Sequence, residues 1–455
     1  MRRILGHYVA TSWVVFGVLE ATLIAVVCGG ALWLVSSGSG LSAGRLMGFA
    51  TLLSLGFVAV MHSGGLYRGD AVLNLKGTLW RVAVITIPVF MLAVWTTGEL
   101  AGHTRVPIYP YRWQWTGGLT ATWLLSAVLL RLGLRQVYRS GLLTRKIVVV
   151  GHAARASDIV GLAQESAERF RVVAQVDPWT EDGKACLQDM QARAARSDAS
   201  EIVIAIDGEP FPWKSLAECR LSGIRVTDYL DFYEREAKRI RIDCLREDWI
   251  ALSRGFDSTT AGEACRRVLD MSLAAFGLVA TAPVLLLTAF AIKLADGGPV
   301  FFRQERVGLG GRSFSLYKFR SMREDAECDG KPAWASERDT RITKVGRVIR
   351  KLRIDELPQF WNVLRGDMAV IGPRPERPFF VRQFSQSIPF YDCRHAVRPG
   401  ITGWAQVSFR YGASVEDARR KLSYDLYYVK NRGFLLDLVV LLKTVGVVLR
   451  GEGAR

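Results

Sequence analysis

Residues 353–375 read RIDELPQFWNVLRGDMAVIGPRP, the most informative stretch of the chain. Two adjacent carboxylates, Asp355 and Glu356, lie at the predicted start of a short helix, and Gly366 predicts its end. The stiff glycine-proline turn that follows presents Arg374. A helix N-terminus attracts anions and keeps a nearby carboxylate ionised. Together with a fixed guanidinium, these features indicate phosphoryl-transfer chemistry.

The same stretch resembles the bacterial sugar transferases, a family that moves a phosphosugar onto a polyprenyl phosphate. DELPQ, a helix that ends in RGDM and the GPRP turn carry the resemblance. Four further blocks match in order: GGPVFFRQERVG (297–308), YKFRSM (317–322), RPGITGWAQV (398–407) and YDLYYVKN (424–431). Each block alone could be an ordinary surface element, so the ordered set is what makes the signal specific. The chain is most similar in layout to the large members, the undecaprenyl-phosphate glucose or galactose phosphotransferases of exopolysaccharide synthesis.

Composition indicates an anionic partner at a membrane. The 455 residues are enough for two or three domains, and 60 Lys and Arg against 43 Asp and Glu give a net charge of +17. This charge suits nucleic acid, an anionic membrane face or phosphorylated substrates. Half of the residues are hydrophobic and the N-terminal third is strongly apolar, which favours the membrane and disfavours nucleic acid. The seven scattered cysteines form no CxxC pair, so they fit a reducing compartment and predict no metal cluster.

Residues 1–143 are predicted to form four transmembrane helices. Each of four apolar runs approaches the ~20 residues that span a bilayer as a helix. The runs cover residues 9–35, 46–62, 79–97 and 117–134. Arg2 and Arg3 before the first run favour a cytoplasmic N-terminus. We therefore predict a multi-pass protein of the bacterial inner (cytoplasmic) membrane, with everything after the fourth run in the cytoplasm.

Residues 144–252 are predicted to form a Rossmann-like α/β domain. Strand-like stretches alternate with helix-like ones, which favours a parallel sheet. The strand-like stretches are RKIVVVG (145–151), RVVAQVD (171–177), EIVIAID (201–207) and GIRVTDY (223–229). The turn at Gly151 lacks the second glycine of a dinucleotide-binding loop, so a structural or oligomerisation module is favoured over a cofactor site. The central or membrane domain could thereby form a homodimer.

Residues 253–455 are predicted to form a monotopic, mixed α/β catalytic domain. Its apolar run 271–292 is long enough to span, but a straight span would place DELPQ away from cytoplasmic nucleotide sugars. Pro283 removes a helical hydrogen bond near the middle of the run, and basic residues flank both ends. These features predict a re-entrant helix, about 266–295, that is broken at Pro283. An ordinary spanning helix with a proline kink is the alternative.

The resemblance implies a UDP-sugar and undecaprenyl phosphate as substrates and Mg²⁺ as the cofactor. Asp355 would attack the sugar-proximal phosphorus, release UMP and form an aspartyl-phosphosugar, from which the lipid phosphate takes the sugar phosphate. The product would be undecaprenyl-diphosphate-sugar. A hard divalent ion suits carboxylates and phosphates, so Asp355 and Glu356 are the predicted metal ligands. Glu356 could instead handle protons.

Four cations and one carboxylate complete the predicted site. Lys318 and Arg320 are two apart on a predicted strand and should point to one face, as a phosphate site requires; a solvated basic edge is the alternative. Arg353 precedes the two carboxylates and Arg374 follows them, and arginine suits bidentate contact with phosphate. Asp425 matches a carboxylate of the family pattern and is predicted to contact or support the substrate.

Three other classes of function are weighed against the same residues. A conventional metal-dependent glycosyltransferase would need a DxD-type motif, which the chain lacks. A nicotinamide-dependent enzyme is disfavoured by the incomplete glycine loop. The non-enzymatic alternative is a membrane scaffold or regulator of polysaccharide assembly, against which the intact Asp355-Glu356 pair argues. The predicted reaction would be the first membrane step of exopolysaccharide, O-antigen or capsule synthesis, and the sequence does not identify the sugar.

Overall fold

The chain, seen in a computed structural model, contains two compact units that divide between Ala237 and Lys238, apart from the first few residues. The described residues are 2–4, 7–9, 11–36, 43–63, 82, 85–87, 89–91, 93–95, 108–141, 144–165, 169–180, 190–206, 213–253, 255–256, 259–323, 341–409 and 414–449. Two short strands, β1 (Arg2–Ile4) and β2 (His7–Val9), precede the first helix.

The first unit begins with apolar helices at the four predicted runs. These are α1 (Thr11–Ser36), α2 (Ala43–Ser63), a shorter stretch at Ile85–Trp95 and α3 (Ile108–Arg139). Phe57, Met61 and Trp123 belong to the buried core that joins them. Among the helices of the described residues, Thr116–Val137 and Thr260–Ala295 are long and apolar enough to cross a membrane. A bundle of four membrane-crossing helices therefore stays a prediction.

The predicted parallel sheet follows in the same unit. Its four strands lie in the order β4-β3-β5-β6 and all pair in parallel. The elements are β3 (Arg145–Gly151), α4 (Ala153–Glu165), β4 (Phe170–Val176), α5 (Met190–Arg196), β5 (Glu201–Ala205), α6 (Trp213–Leu221), β6 (Arg225–Asp228) and α7 (Tyr229–Ala237). Gly151 has a φ of 145°, and a Cβ there would lie 2.1 Å from the Ala205 carbonyl oxygen. This glycine is therefore explained by close packing of two strand ends, and cofactor binding here stays untested.

The second unit holds the remaining elements. They are α8 (Glu247–Leu252), α9 (Thr260–Asp296), β7 (Phe301–Val307), β8 (Ser313–Phe319), α10 (Lys344–Lys351), α11 (Gln359–Arg365), β9 (Ala369–Ile371), α12 (Pro378–Ser387), β10 (Gly400–Thr402), α13 (Trp404–Ser408), α14 (Val415–Asn431) and α15 (Phe434–Leu449). Strands β7 and β8 form an antiparallel hairpin, whereas β9 and β10 pair in parallel. The unit is thus mixed α/β, as predicted.

Residues 238–252, assigned above to the central domain, pack on the C-terminal unit. The Trp404 Nε1–H donates to the Lys238 carbonyl oxygen over 2.9 Å. The Lys430 ammonium lies 3.6 Å from the centroid of the Trp249 ring, a cation–π contact. The segment therefore forms part of the surface of α13 and α14.

Helix α9 is continuous through Pro283, so the predicted break into two helices is absent from the structure. A proline inside a helix removes one hydrogen bond and can bend the helix without ending it. Both ends of α9 contact the same unit: Arg267 near its start donates to the Val363 and Leu364 carbonyls, and Ile292 near its end packs in one cluster with elements of that unit. This contact pattern agrees with both ends lying on one side of a bilayer, which stays a prediction.

Candidate active site

A buried asparagine fixes α11 against β8 and so sets the geometry of the site. The Asn362 side chain is fully buried. Its Nδ2 donates to the Ser315 carbonyl over 2.8 Å, and its Oδ1 accepts from the Tyr317 N–H over 3.0 Å. The next residue of β8, Lys318, therefore projects towards the segment that leads into α11.

The two carboxylates lie in a 3-10 helix, Ile354–Glu356, just before α11 rather than in its first turn. Arg353 enters this turn with a φ of 58°, a left-handed conformation that costs a residue with a side chain about 1 kcal/mol. Pro358 then stands directly before α11, where a missing N–H leaves no gap in the helix. As predicted, Gly366 ends α11, with a φ of 95°.

Glu356 is surrounded by cations. Its carboxylate lies 2.7 Å from Arg374 Nη2, 3.4 Å from Arg353 Nη1 and 3.7 Å from Lys318 Nζ. Burial alone would raise the pKa of Glu356, but Arg374 and Lys318 hold the pKa well below its usual range. Three of the predicted cations therefore meet at one permanently ionised carboxylate.

Asp355 differs sharply from its neighbour. No described residue donates a hydrogen bond to its carboxylate or forms an ion pair with it. Burial raises the pKa of Asp355, as does the Glu356 charge, while Lys318, Arg374 and Arg350 act in the opposite direction. Asp355 is therefore a more basic carboxylate that is available to bond a substrate. Arg350 of α10 is a nearby cation that the sequence analysis missed.

The structure brings Lys318 to Glu356, whereas joint action of Lys318 and Arg320 on a phosphate stays a prediction. Burial lowers the pKa of Lys318 to about 8, although the Glu356 charge opposes this shift. Arg320 is buried just beyond β8, where its backbone N–H donates to the Val300 carbonyl over 2.9 Å. It is not among the cations that act most strongly on Glu356. The backbone pairing with the β7 side thus continues to Arg320 beyond the end of β8 at Phe319, and a shared phosphate site for the two side chains stays a prediction.

The turn that carries Arg374 is held by very close backbone packing. A Cβ on Gly372 would lie 2.3 Å from the Arg398 carbonyl oxygen and 2.8 Å from the Gly400 nitrogen. The Gly400 N–H donates to the Pro373 carbonyl over 2.9 Å. Glycine is required in both sequence blocks because the β9 and β10 backbones meet here, and their contact fixes the position of Arg374.

Asp425 supports this turn from behind and does not contact the site carboxylates. It is buried in α14 and lies 2.8 Å from Arg394 Nη2. The same Nη2 donates to the Arg374 carbonyl over 2.9 Å, and Arg394 Nη1 donates to the Tyr391 hydroxyl over 3.0 Å. Of the two predicted roles of Asp425, the geometry favours support over direct substrate contact.

A second ion cluster holds the residues that follow Arg374. Arg306 Nη1 donates to the Pro375 carbonyl over 3.0 Å, and Lys421 Nζ lies 2.5 Å from the Glu376 carboxylate. Although burial opposes it, Lys421 together with Arg394 and Arg306 lowers the pKa of Glu376 to about 2. The sequence analysis missed this cluster, although Arg306 lies inside a matched block and Glu376 directly follows GPRP.

The donor set limits how a metal ion could be held. Among the described residues, no group of three or more His, Cys, Asp or Glu could hold a metal. Mg²⁺ usually binds through one or two carboxylates plus substrate phosphates and water. Asp355 forms no ion pair with a residue that the structure describes, whereas the Glu356 carboxylate lies beside three cations. Of the two predicted ligands, Asp355 is therefore the one whose carboxylate could hold Mg²⁺, and binding of the ion stays a prediction.

An available carboxylate among fixed cations, beside a long apolar helix, is an arrangement suited to phosphoryl transfer at a membrane surface. A family model described as "Bacterial sugar transferase" matches residues 261–451. An uncharacterized sugar transferase of Bacillus subtilis is 43% identical over 188 residues, which are 41% of this chain and 89% of that protein. The chain belongs to the bacterial sugar transferase family.

Two further relatives carry more specific names. The UDP-N-acetylgalactosamine-undecaprenyl-phosphate N-acetylgalactosaminephosphotransferase of Aeromonas hydrophila is 44% identical over 263 residues, 58% of this chain and 61% of that protein. The UDP-glucose:undecaprenyl-phosphate glucose-1-phosphate transferase of Caulobacter vibrioides is 44% identical over 193 residues, 42% of this chain and 71% of that protein. The two names differ in the sugar and share the lipid acceptor.

Proposed function

We propose that this protein transfers a hexose-1-phosphate from a UDP-sugar to undecaprenyl phosphate, giving undecaprenyl-diphosphate-sugar and UMP. The proposal is supported by the different surroundings of the two adjacent carboxylates. Glu356 gathers Arg374, Lys318 and Arg353 around it, while Asp355 keeps its carboxylate available. Cations outnumber carboxylates at this point, so the site attracts an anionic donor.

The first half-reaction is a displacement at phosphorus. An Asp355 oxygen bonds to the sugar-proximal phosphorus, the bond from that phosphorus to the bridging oxygen breaks, and UMP leaves with the electron pair. Arg374 and Lys318 would bind the phosphate oxygens on which charge builds up. Mg²⁺ bound through Asp355 and the donor would neutralise further charge on the diphosphate. The enzyme is left as an aspartyl-phosphosugar.

The second half-reaction restores the carboxylate. An oxygen of the acceptor phosphate attacks the same phosphorus, the bond to Asp355 breaks, and the diphosphate linkage forms. Glu356 stays ionised throughout, because its cations hold its pKa far below neutral pH. Its role is then to hold Arg374, Arg353 and Lys318 in place. The two-step path predicts ping-pong kinetics.

The cellular setting follows from the substrates. UDP-sugars are cytoplasmic, so the second unit is placed at the cytoplasmic face of the bacterial inner membrane, with α9 embedded from that side. The first 143 residues would anchor the chain as a multi-pass protein, and the Rossmann-like central unit would provide a structural or homodimer contact. The reaction would begin the assembly of an exopolysaccharide or related polymer.

A panel of UDP-sugars, incubated with the full chain in detergent and undecaprenyl phosphate, tests this function. We expect release of UMP and a radiolabelled lipid product with one or a few of the sugars, and neither product with Asp355→Asn. A scaffold without activity would give no lipid-linked sugar with any donor.

A further inference from the structure

An exposed aromatic residue stands beside the lysine of the site. In the β7–β8 hairpin Phe302 pairs directly with Lys318, so the two side chains project from the same face. Side chains of a directly opposed pair start with their Cβ atoms about 5 Å apart. Nevertheless 41% of Phe302 is exposed, while Lys318 next to it turns inward to Glu356. Packing within the hairpin therefore does not explain why an aromatic ring is exposed at position 302.

Phe302 lies at the end of a row of side chains that borders the site. Residues two apart on a strand share a face, so Gln304 and Arg306 continue the row along β7. Arg306 places one end of the row at the arginine turn, because its side chain donates to the carbonyl of Pro375, the residue after Arg374. The row therefore runs from the arginine turn to Phe302, which forms an edge of the same site.

This edge adjoins the apolar helix. Ile292 in the last turns of α9 belongs to a buried cluster against which Val300 packs, and Val300 precedes Phe302 by two residues, so the two share a face. On the same turns Phe290 and Leu294 are 64% and 71% exposed. Large apolar side chains left open to water are unfavourable, and a lipid surface removes that cost. Phe302 thus lies where a lipid-facing helix end meets a phosphate-binding cation.

We propose that Phe302 is an acceptor-binding residue whose ring packs against the first isoprene units of the polyprenyl phosphate, with the acceptor phosphate at Lys318. This inference rests on the proposed function. Such an acceptor joins a phosphate directly to an apolar chain, so it needs a cation and an apolar surface side by side. Phe302, Lys318 and the end of α9 supply both.

The two half-reactions separate acceptor binding from donor binding, and variants of the full chain test each one. Phe302→Ala removes the contact and is expected to raise the KM for undecaprenyl phosphate about tenfold, in line with the apolar area lost. Phe302→Leu keeps an apolar side chain and is expected to raise it less than about threefold. The burst of UMP released from UDP-sugar alone, and the donor KM, are expected to stay at wild-type values for both variants.

Leu309→Ala is the matched control, because Leu309 is exposed to a similar extent (42%) in the turn at the opposite end of the hairpin. It should leave both half-reactions unchanged. An unchanged acceptor KM in Phe302→Ala would overturn the assignment. A donor KM that is raised in both Phe302→Ala and Phe302→Leu would also overturn the assignment, since that pattern indicates that the aromatic ring stacks on uracil. Absence of UMP release from the wild-type enzyme would instead remove the proposed function itself.

Discussion

The buried pair of Arg394 and Asp425 makes the sharpest prediction about stability. Both side chains are 2% exposed and lie 2.8 Å apart. Removing one partner of a buried ion pair costs about 3–5 kcal/mol, because the other charge stays buried. Asparagine at position 425 keeps one acceptor oxygen, so we expect the free energy of unfolding to fall by the lower end of this range, about 3 kcal/mol. At ~2–4 °C per kcal/mol for a unit of this size, Asp425→Asn should lower Tm by roughly 6–12 °C.

The same variant should also slow the reaction, because Arg394 holds the Arg374 carbonyl. A small displacement of a positioning group costs on the order of 10²-fold or less, and we expect about tenfold. Tm is measured by thermal unfolding in detergent and activity by UMP release. Asp392→Asn is the matched control, since that carboxylate is 72% exposed and should change neither quantity. A Tm within about 2 °C of wild type for Asp425→Asn would show that the buried pair does not contribute this stability.

Lys318, Gly372 and the two ends of α9 each give a further testable expectation. Because the pKa of Lys318 is about 8, its positive charge is lost as pH rises through that value. The rate at limiting UDP-sugar should therefore fall above about pH 8. Lys318→Arg keeps its charge and should move this fall to higher pH. Gly372→Ala would place a Cβ 2.3 Å from a backbone carbonyl oxygen and should prevent the C-terminal unit from folding. Gly161→Ala is the control, because open space surrounds that glycine, and it should fold normally. Thermal unfolding distinguishes the two variants. Cysteine probes beside Glu263 and Asp296, in a background without native cysteines, should react with an impermeant reagent only once the inner membrane is opened; labelling of the second from outside would refute the re-entrant placement.

The chemistry of the site could be predicted because its residues are close in the chain or lie in matched blocks. Asp355, Glu356, Arg353 and Arg374 fall within one stretch of sequence, and the strand that carries Lys318 was recognised from its own pattern. The parallel sheet of the first unit followed in the same way from the alternation of strand-like and helix-like stretches. Local periodicity and turn chemistry were sufficient for these features.

What could not be predicted depends on contacts between distant segments. Arg394 and Asp425 are 31 residues apart, and Lys421 and Glu376 are 45 residues apart, so nothing local marks either pair. Pro283 shows the opposite case: a strong local signal for a break was overridden, and α9 continues through it. Packing along both ends of the helix offsets the single hydrogen bond that proline removes.

Measurement of the intact protein mass shows whether Asp355 carries the sugar phosphate. Wild-type protein incubated with UDP-sugar and no acceptor should gain the mass of one hexose phosphate and lose it when undecaprenyl phosphate is added. Asp355→Asn should show no added mass. Glu356→Gln, which leaves the attacking carboxylate in place, should be slower but still able to form some adduct. An adduct that persists on Asp355→Asn, or turnover by that variant at the wild-type rate, would contradict the account.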